Sequence, residues 1–115
     1  MRRIYFKRPL IFKILRGEKT QTRRLSDRFR IGEIYRVNSS EIWILITRKY
    51  QQRLGEISQE EIHKEGFSSL SEFRQAWRKI YGRYDPDQQV WAYEFKVISP
   101  LYLQSVYTVS RRRRS

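Results

Sequence analysis

The order of strand-like and helix-like segments is the feature of this sequence that most limits its fold. A strand, a helix and a group of strands are followed by two short helices and two further strands. Strands and helices therefore do not alternate throughout, which disfavours a doubly wound parallel sheet. A chain of 115 residues has room for one ordinary domain. We expect an α+β fold, a small mixed β-barrel with short helices packed around it, formed by residues 1–110, with 111–115 as a basic C-terminal tail.

Hydrophobic periodicity and turn residues locate the individual elements. Pro9 stands where a first helical residue would, and an apolar stripe behind it stops at Gly17. Ser58 and Ser69 each precede a glutamate by three residues, a capping box that opens a helix. The predicted helices cover residues 9–16, 58–66 and 69–82, and the predicted strands cover 4–8, 20–25, 34–37, 42–47 extending towards 50, 91–98 and 101–109.

The formal net charge of +13 is concentrated in two segments. Residues 1–30 contain 11 Lys or Arg and only two acidic residues, whereas 31–110 contain ten of each sign. Such segregation is typical of a surface that contacts phosphate groups of a polyanion, although basic side chains also keep small domains soluble. The predicted phosphate contacts are Arg2, Arg3, Lys7, Arg8, Lys13, Arg16, Lys19, Arg23, Arg24, Arg28, Arg30, Arg111, Arg112, Arg113 and Arg114.

Several classes of protein are excluded by what the chain lacks. Without cysteine there is no disulfide scaffold, thiol nucleophile or sulfur-rich metal site, and the single His63, expected at the surface, cannot build a histidine cluster. No apolar run is long enough for a membrane span, and Met1-Arg2-Arg3 is not followed by a signal-peptide core. We expect a soluble cytoplasmic protein with no metal, no cofactor and no membrane partner.

The segment after the first predicted helix concentrates groups that could carry chemistry. Alternation along its strand places Thr22 and Arg24 on one face and Gln21 and Arg23 on the other, while Lys19 in the preceding turn can swing towards Thr22. A threonine hydroxyl needs a base nearby to act as a nucleophile. Lys19 could serve only if burial or neighbouring cations lower its pKa well below about 10.4. Alternatively, the threonines are simply strand formers and the cations are solvated.

The same segment carries a resemblance to a known family. Gly17-x-Lys19-x-x-x-x-Arg24, preceded by Ile14-Leu15 and followed by Arg30-Ile31-Gly32-Glu33, resembles the ASCH domain, a PUA-like β-barrel. The resemblance covers about residues 4–98 and implies a small barrel with a cleft for RNA, nucleotides or nucleosides. Further similar segments are Leu54-Gly55-Glu56-Ile57, Glu65-Gly66-Phe67, Glu72-Phe73, Trp77 and Val90-Trp91-Ala92-Tyr93-Glu94-Phe95.

The resemblance implies two principal functions. The first is an RNA-binding module that docks on structured RNA through a basic N-terminal cleft, as a component of a small ribonucleoprotein. The second is an amidohydrolase that removes the N4-acetyl group from cytidine. Similar members use a Lys, a Thr and a Glu for that reaction, and these fall on Lys19, Thr22 and Glu65. Considered alone, Glu65 stands at a helix end before Gly66, which favours a solvated residue. A domain that contacts another protein is a third alternative.

Aromatic residues divide into two predicted groups. Those within strands are expected in the core more often than on a nucleic-acid surface, because a buried strand face is usually apolar; they are Trp43, Trp91 and Tyr93. Those close to the basic segments are better candidates for exposed base stacking; they are Tyr5, Tyr35 and Tyr84.

Overall fold

A computed structural model describes residues 2–98, which form five strands and three α-helices. The strands are β1 (Arg3–Ile4), β2 (Gln21–Arg24), β3 (Ile34–Val37), β4 (Trp43–Arg53) and β5 (Gln89–Ile98). The helices are α1 (Arg8–Leu15), α2 (Gln59–Lys64) and α3 (Leu70–Tyr81), and a 3-10 turn (Leu54–Glu56) follows β4. Among these residues no helix has the length and apolar character needed to cross a membrane.

The five strands make one mixed sheet in the order β1-β3-β4-β5-β2. The long strands β4 and β5 pair antiparallel at its centre, from Trp43 opposite Ile98 to Arg53 opposite Gln89. β1 pairs parallel with β3, and β2 pairs antiparallel with β5. Within residues 2–98 β1 and β2 are opposite edges with no ladder joining them. The α+β class is therefore confirmed, whereas closure of the sheet into a barrel is not.

Two apolar clusters hold the sheet and the helices together. The larger one joins the N-terminal segment and α1 to the sheet, and the smaller one joins α3 to the end of the β4–β5 ladder. Burial of this kind is the main favourable contribution to folding, at about 25 cal/mol per Å² of apolar surface. The larger cluster contains Ile4, Phe6, Ile14, Phe29, Tyr35, Val37, Ile44, Ile46, Tyr93 and Phe95, and the smaller contains Leu54, Phe73, Trp77 and Val90.

The predicted helices and central strands are present, with changed ends. The strand predicted over 4–8 is limited to β1, because α1 already begins at Arg8, with Pro9 in its first turn. β4 is longer than predicted and runs to Arg53. Ser58 and Ser69 accept the expected capping hydrogen bonds at α2 and α3. The strand predicted over 101–109 lies outside the described residues.

The aromatic predictions are correct in part. Tyr93 is fully buried, while Trp43 and Trp91 are half-buried. Tyr5 is 61% exposed as expected. The prediction for Tyr35 is wrong: the residue is 4% exposed, since its hydroxyl accepts from the Arg30 N–H at 2.9 Å and donates to Glu33. Tyr84 is half-buried against the smaller cluster, and its hydroxyl donates to the Leu54 carbonyl.

Removing side-chain volume from the larger cluster should destabilise the whole fold. Ile46 is fully buried, so Ile46→Ala should lower the free energy of unfolding by about 2–5 kcal/mol through lost burial and a residual cavity. Ile31→Ala is a matched control, because that isoleucine is 55% exposed and its loss should change stability by about 0.5 kcal/mol or less. Urea denaturation measures both, and equal effects would contradict the assignment of the core.

Candidate active site

A cleft of about 350 Å³ lies between the segment before α1, the strand β2 and the helix α3. One side is polar and holds all three residues predicted for catalysis, Lys19, Thr22 and Glu65. The opposite side is apolar, a combination that is usual in small-molecule sites. The apolar side includes Phe6, Leu10, Phe67, Trp77, Ile80 and Tyr81.

Lys19 is placed by the turn that ends α1. Gly17 takes a positive φ of 76°, and the Lys19 N–H donates to the Lys13 carbonyl at 3.2 Å, which folds the chain back towards β2. The Lys19 side chain is only 2% exposed. Its Nζ donates to the Glu65 carbonyl at 2.8 Å and to Glu65 Oε1 at 3.0 Å. A solvated Lys19 was one of the alternatives that the sequence left open, and the structure instead buries this residue in an ion pair.

Burial controls the protonation of this lysine. Loss of water around Nζ lowers the pKa of Lys19 below its ordinary value of 10.5, and the charges of Arg24 and Arg23 act in the same direction. The Glu65 carboxylate opposes this change, but burial has the larger effect. Lys19 is consequently a better candidate for a proton acceptor than an exposed lysine would be.

Glu65 reaches the cleft because it caps the end of α2. The helix is opened by Ser58, and the chain turns immediately after Glu65 at Gly66, where φ is 96°. A Cβ at Gly66 would approach the side chains of Lys13 and Lys19 to 3.2 and 3.3 Å, so the close packing here needs glycine. Glu65 is 4% exposed. The interpretation of Glu65 as a solvated residue is therefore wrong, because the end of α2 faces β2 instead of solvent.

Thr22 and Arg24 share one face of β2, as the alternation predicted. Arg24 Nε donates to Thr22 Oγ1 at 3.1 Å, and its Nη2 donates to the Tyr5 carbonyl at 2.8 Å. The guanidinium also lies 4.9 Å from the centre of the Phe6 ring. Burial lowers the pKa of Arg24, yet an arginine stays charged. A positive donor on the threonine hydroxyl would stabilise negative charge that develops on that oxygen.

Arg23 points to the other face of β2 and is fully buried. The sequence predicted a phosphate contact here, but the side chain turns inward. Its guanidinium sits among polar groups from β2, β4 and α2, most of which the sequence analysis did not connect with the site. The partners are Gln21 Oε1 at 2.8 Å, Glu65 Oε2 at 2.8 Å, Glu61 Oε2 at 2.6 Å, Gln52 Oε1 at 2.7 Å and the Tyr50 hydroxyl at 3.3 Å.

A basic groove of about 760 Å³ adjoins the cleft and shares Tyr5, Arg24 and Tyr81 with it. Glu33 is its single acidic lining residue among those described, and it pairs with Arg2 at 3.4 Å. The groove therefore has a strong positive balance, the property that attracts phosphate groups. Five predicted phosphate contacts line it: Arg2, Arg3, Arg24, Arg28 and Arg30.

A scan against protein-family models and a search of curated proteins both give no match for this chain. Among solved structures, it resembles the ASCH domain from Lactobacillus crispatus JV V101, with a TM-score of 0.65 and 22% identity over 75% of this chain and 68% of that one. The fold is ASCH-like.

Two further solved structures share this ASCH-like fold. The hypothetical protein PH0355 gives a TM-score of 0.66 at 21% identity, covering 82% of this chain and 95% of its own. Protein EF3133 from Enterococcus faecalis V583 gives 0.68 at 15% identity, covering 85% and 80%. Identities this low establish the architecture alone, so function has to be argued from the site.

The remaining predicted contacts are dispersed around the ASCH-like fold. Lys7 lines the cleft, Arg8 is exposed on α1, and Lys13 Nζ donates to the Gly66 carbonyl at 2.5 Å. Arg16 pairs with Glu18 at 3.1 Å. Outside the described residues lie Arg111, Arg112, Arg113 and Arg114. His63 is exposed as expected. In the described part of the chain no cluster of side chains is suited to a metal ion.

The ionisation of Glu61 should make the free energy of unfolding depend on pH in the acidic range. Burial raises its pKa, but hydrogen bonds from Tyr50 and Ser58 and the charge of Arg23 outweigh that effect and lower the pKa from 4.5 to about 2. The ionised form therefore stabilises the fold above about pH 4.5, and this contribution is lost as the pH falls towards 2. After allowance for partial exposure we expect about 1–2 kcal/mol.

Glu61→Gln should remove that contribution at pH 7 and flatten the loss of stability between pH 5 and 2, a range set by the pKa values above. Glu60→Gln on the same helix is the control, because the Glu60 side chain is 80% exposed and forms an ion pair with Lys64 at 3.6 Å. Urea denaturation across this pH range tests the prediction. An identical acid profile for both variants would contradict it.

Proposed function

We propose that this chain is an amidohydrolase that cleaves the N4-acetyl group, or a related small acyl group, from a cytosine base. The observation that carries the proposal is the buried Lys19, held by Glu65 and lining the same cleft as the Thr22 hydroxyl. A purely structural ion pair would explain the Lys19–Glu65 contact equally well. It would not explain why the pair opens onto a concave site that also contains a hydroxyl with a cationic donor.

The reaction can be written with these residues and water. Neutral Lys19 accepts the proton of the Thr22 hydroxyl as Oγ1 forms a bond to the acyl carbon. The tetrahedral intermediate collapses, the bond between the acyl carbon and N4 breaks, and Lys19 returns the proton to the departing amine. Water then cleaves the acyl-threonine, releasing the carboxylic acid and restoring Thr22. Arg24 stabilises negative charge on the reacting oxygens.

The size and lining of the cleft support a small substrate. About 350 Å³ is at the lower end of the usual range for ligand sites and accommodates a base with a short acyl group. The apolar side formed by α3 and its neighbours suits the face of a base. The reaction balances without a metal or a cofactor, and both therefore stay outside the proposal. A cytoplasmic location stays a prediction.

Replacing the proposed nucleophile should abolish turnover without unfolding the chain. Thr22→Ala should lower kcat/KM for N4-acetylcytidine by at least about 10³-fold, while Thr22→Ser should retain a measurable rate. Chromatographic detection of released cytidine is the assay. Thr20→Ala is the control, because Thr20 is exposed and two residues away on the chain, and its rate should stay within about twofold. Undiminished turnover in Thr22→Ala would exclude the nucleophile.

The basic groove supports a second candidate function, docking on structured RNA within a small ribonucleoprotein. Its observation is independent of the catalytic residues: Arg28 and Arg30 are exposed, line the groove and have no ion-pair partner among the described residues. Tyr5 and Tyr81 at the rim offer partly exposed rings for base stacking. Groove and cleft are adjacent, so the two functions do not compete for the same side chains except at the shared rim.

RNA binding through the groove should depend steeply on salt. Each neutralised phosphate releases a counterion, so affinity for a structured RNA should fall clearly between about 50 and 200 mM salt. The double variant Arg28→Ala, Arg30→Ala should weaken binding and reduce the logarithmic salt slope by about two. Arg83→Ala is the control, because it is 80% exposed but lies outside the groove. Filter binding at two salt concentrations decides the matter, and a salt-independent affinity would eliminate this candidate.

A further inference from the structure

Arg23 occupies the centre of a buried polar network that borders the cleft. We propose that Arg23 is the positioning residue of this site: it holds Glu65 in the orientation that binds Lys19 and keeps that carboxylate paired when Lys19 gives up its proton. The inference deepens the proposed amidohydrolase function and rests on it. The residue touches no substrate in this scheme, so it acts through Glu65 and Lys19.

The sheet register explains how one side chain reaches so far. Ala92 on β5 lies opposite Arg23 on β2 and opposite Tyr50 on β4. Neighbouring strands are about 4.8 Å apart, so Arg23 and Tyr50 are two strand spacings from each other. Alanine has no side-chain atoms beyond Cβ, which leaves room for the guanidinium to extend across β5. The guanidinium thereby contacts Gln52 on β4, Glu61 on α2 and Glu65 at the end of α2.

The donors of Arg23 are all in use. A guanidinium has five N–H groups. Two on Nη1 go to Gln21 and Glu65, two on Nη2 go to Glu61 and Tyr50, and the one on Nε goes to Gln52. With the side chain fully buried and every donor engaged, Arg23 has nothing left to offer a phosphate or a substrate. Its role is therefore exerted on the protein itself.

The two oxygens of Glu65 show what that role is. Oε1 accepts from Lys19 at 3.0 Å, and Oε2 accepts from Arg23 Nη1 at 2.8 Å. An arginine does not lose its proton at ordinary pH, whereas a buried lysine does. When Lys19 becomes neutral, Glu65 still has a cation within 3 Å, so no unpaired carboxylate is left in the interior. Without Arg23 the same step would isolate a buried negative charge.

Other charges around Lys19 do not replace this contact. Arg24 lies on the Thr22 side. The titratable residues that line the cleft from the segment before α1 and from α3 are Tyr5, Lys7 and Tyr81. Lys13 is held by the Gly66 carbonyl. Among the described groups Glu65 accepts side-chain hydrogen bonds from two cations only, Lys19 and Arg23.

The direct test is a pH titration of Lys19 in the full chain, in which NMR signals of the Lys19 side chain report its protonation. In Arg23→Gln the second cation is gone, so Lys19 should keep its proton to a higher pH, with the midpoint raised by about one unit or more. Arg83→Gln is the matched control and should leave the midpoint unchanged, because Arg83 is 80% exposed and pairs with Asp85. A folded Arg23→Gln chain with the wild-type midpoint overturns the inference.

If the Arg23→Gln variant does not fold, Arg23→Lys provides the test. It keeps the charge, but three donors on one nitrogen cannot replace the planar fork between two carboxylates. We expect kcat for N4-acetylcytidine to fall about tenfold with KM within about twofold, because orientation is lost while the substrate site is kept. Wild-type kcat in this variant overturns the inference. Absence of turnover in the wild-type chain, together with the shifted Lys19 midpoint, supports the role of Arg23 and defeats the amidohydrolase proposal instead.

Discussion

The burial of Lys19 against Glu65 is the interaction on which the arrangement of this site depends. Removing two opposite charges from water is unfavourable unless geometry and additional hydrogen bonds offset the loss. Here the ammonium reaches both the carboxylate and the carbonyl of one residue, and the second carboxylate oxygen is taken by Arg23. The turn after α1 and the end of α2 must therefore meet at a fixed distance from β2.

The local structure around that pair serves the same requirement. The Thr20 N–H donates to the Lys64 carbonyl at 2.7 Å, which ties the segment leading into β2 directly to the last residue of α2. Gly66 then allows the chain to leave the helix while Lys13 and Lys19 pack against it. These contacts hold the two ends of the ion pair together within the protein itself, and fixed geometry of this kind is what preorganised sites use.

The positive charge of the N-terminal segment has two different uses. Lys19 and Arg23 are buried and neutralise carboxylates, while Arg28 and Arg30 face the groove. Net charge alone consequently overstates the exposed basic surface, because it counts interior and exterior cations together. The solved structures at 15 to 22% identity share the architecture, but one fold hosts different chemistries, so the function of this chain depends on its own cleft and groove.

The sequence by itself determined the α+β class, the caps of α2 and α3 and the alternation that puts Thr22 and Arg24 on one face, because caps and periodicity are local properties. The resemblance predicted Lys19, Thr22 and Glu65 as catalytic residues, and the structure places all three in the lining of one cleft.

Only the tertiary structure decided that Glu65 is buried and that Arg23 turns inward. Glu61 and Glu65 stand four residues apart, a spacing that puts both on one side of α2, and this was the signal that could have indicated a cation beneath them. Which cation it is depends on how α2 lies over β2 and β4, where the small Ala92 side chain leaves room for Arg23 to span the strands. Contacts between segments 29 to 46 residues apart have no local pattern in the sequence, so packing alone establishes them.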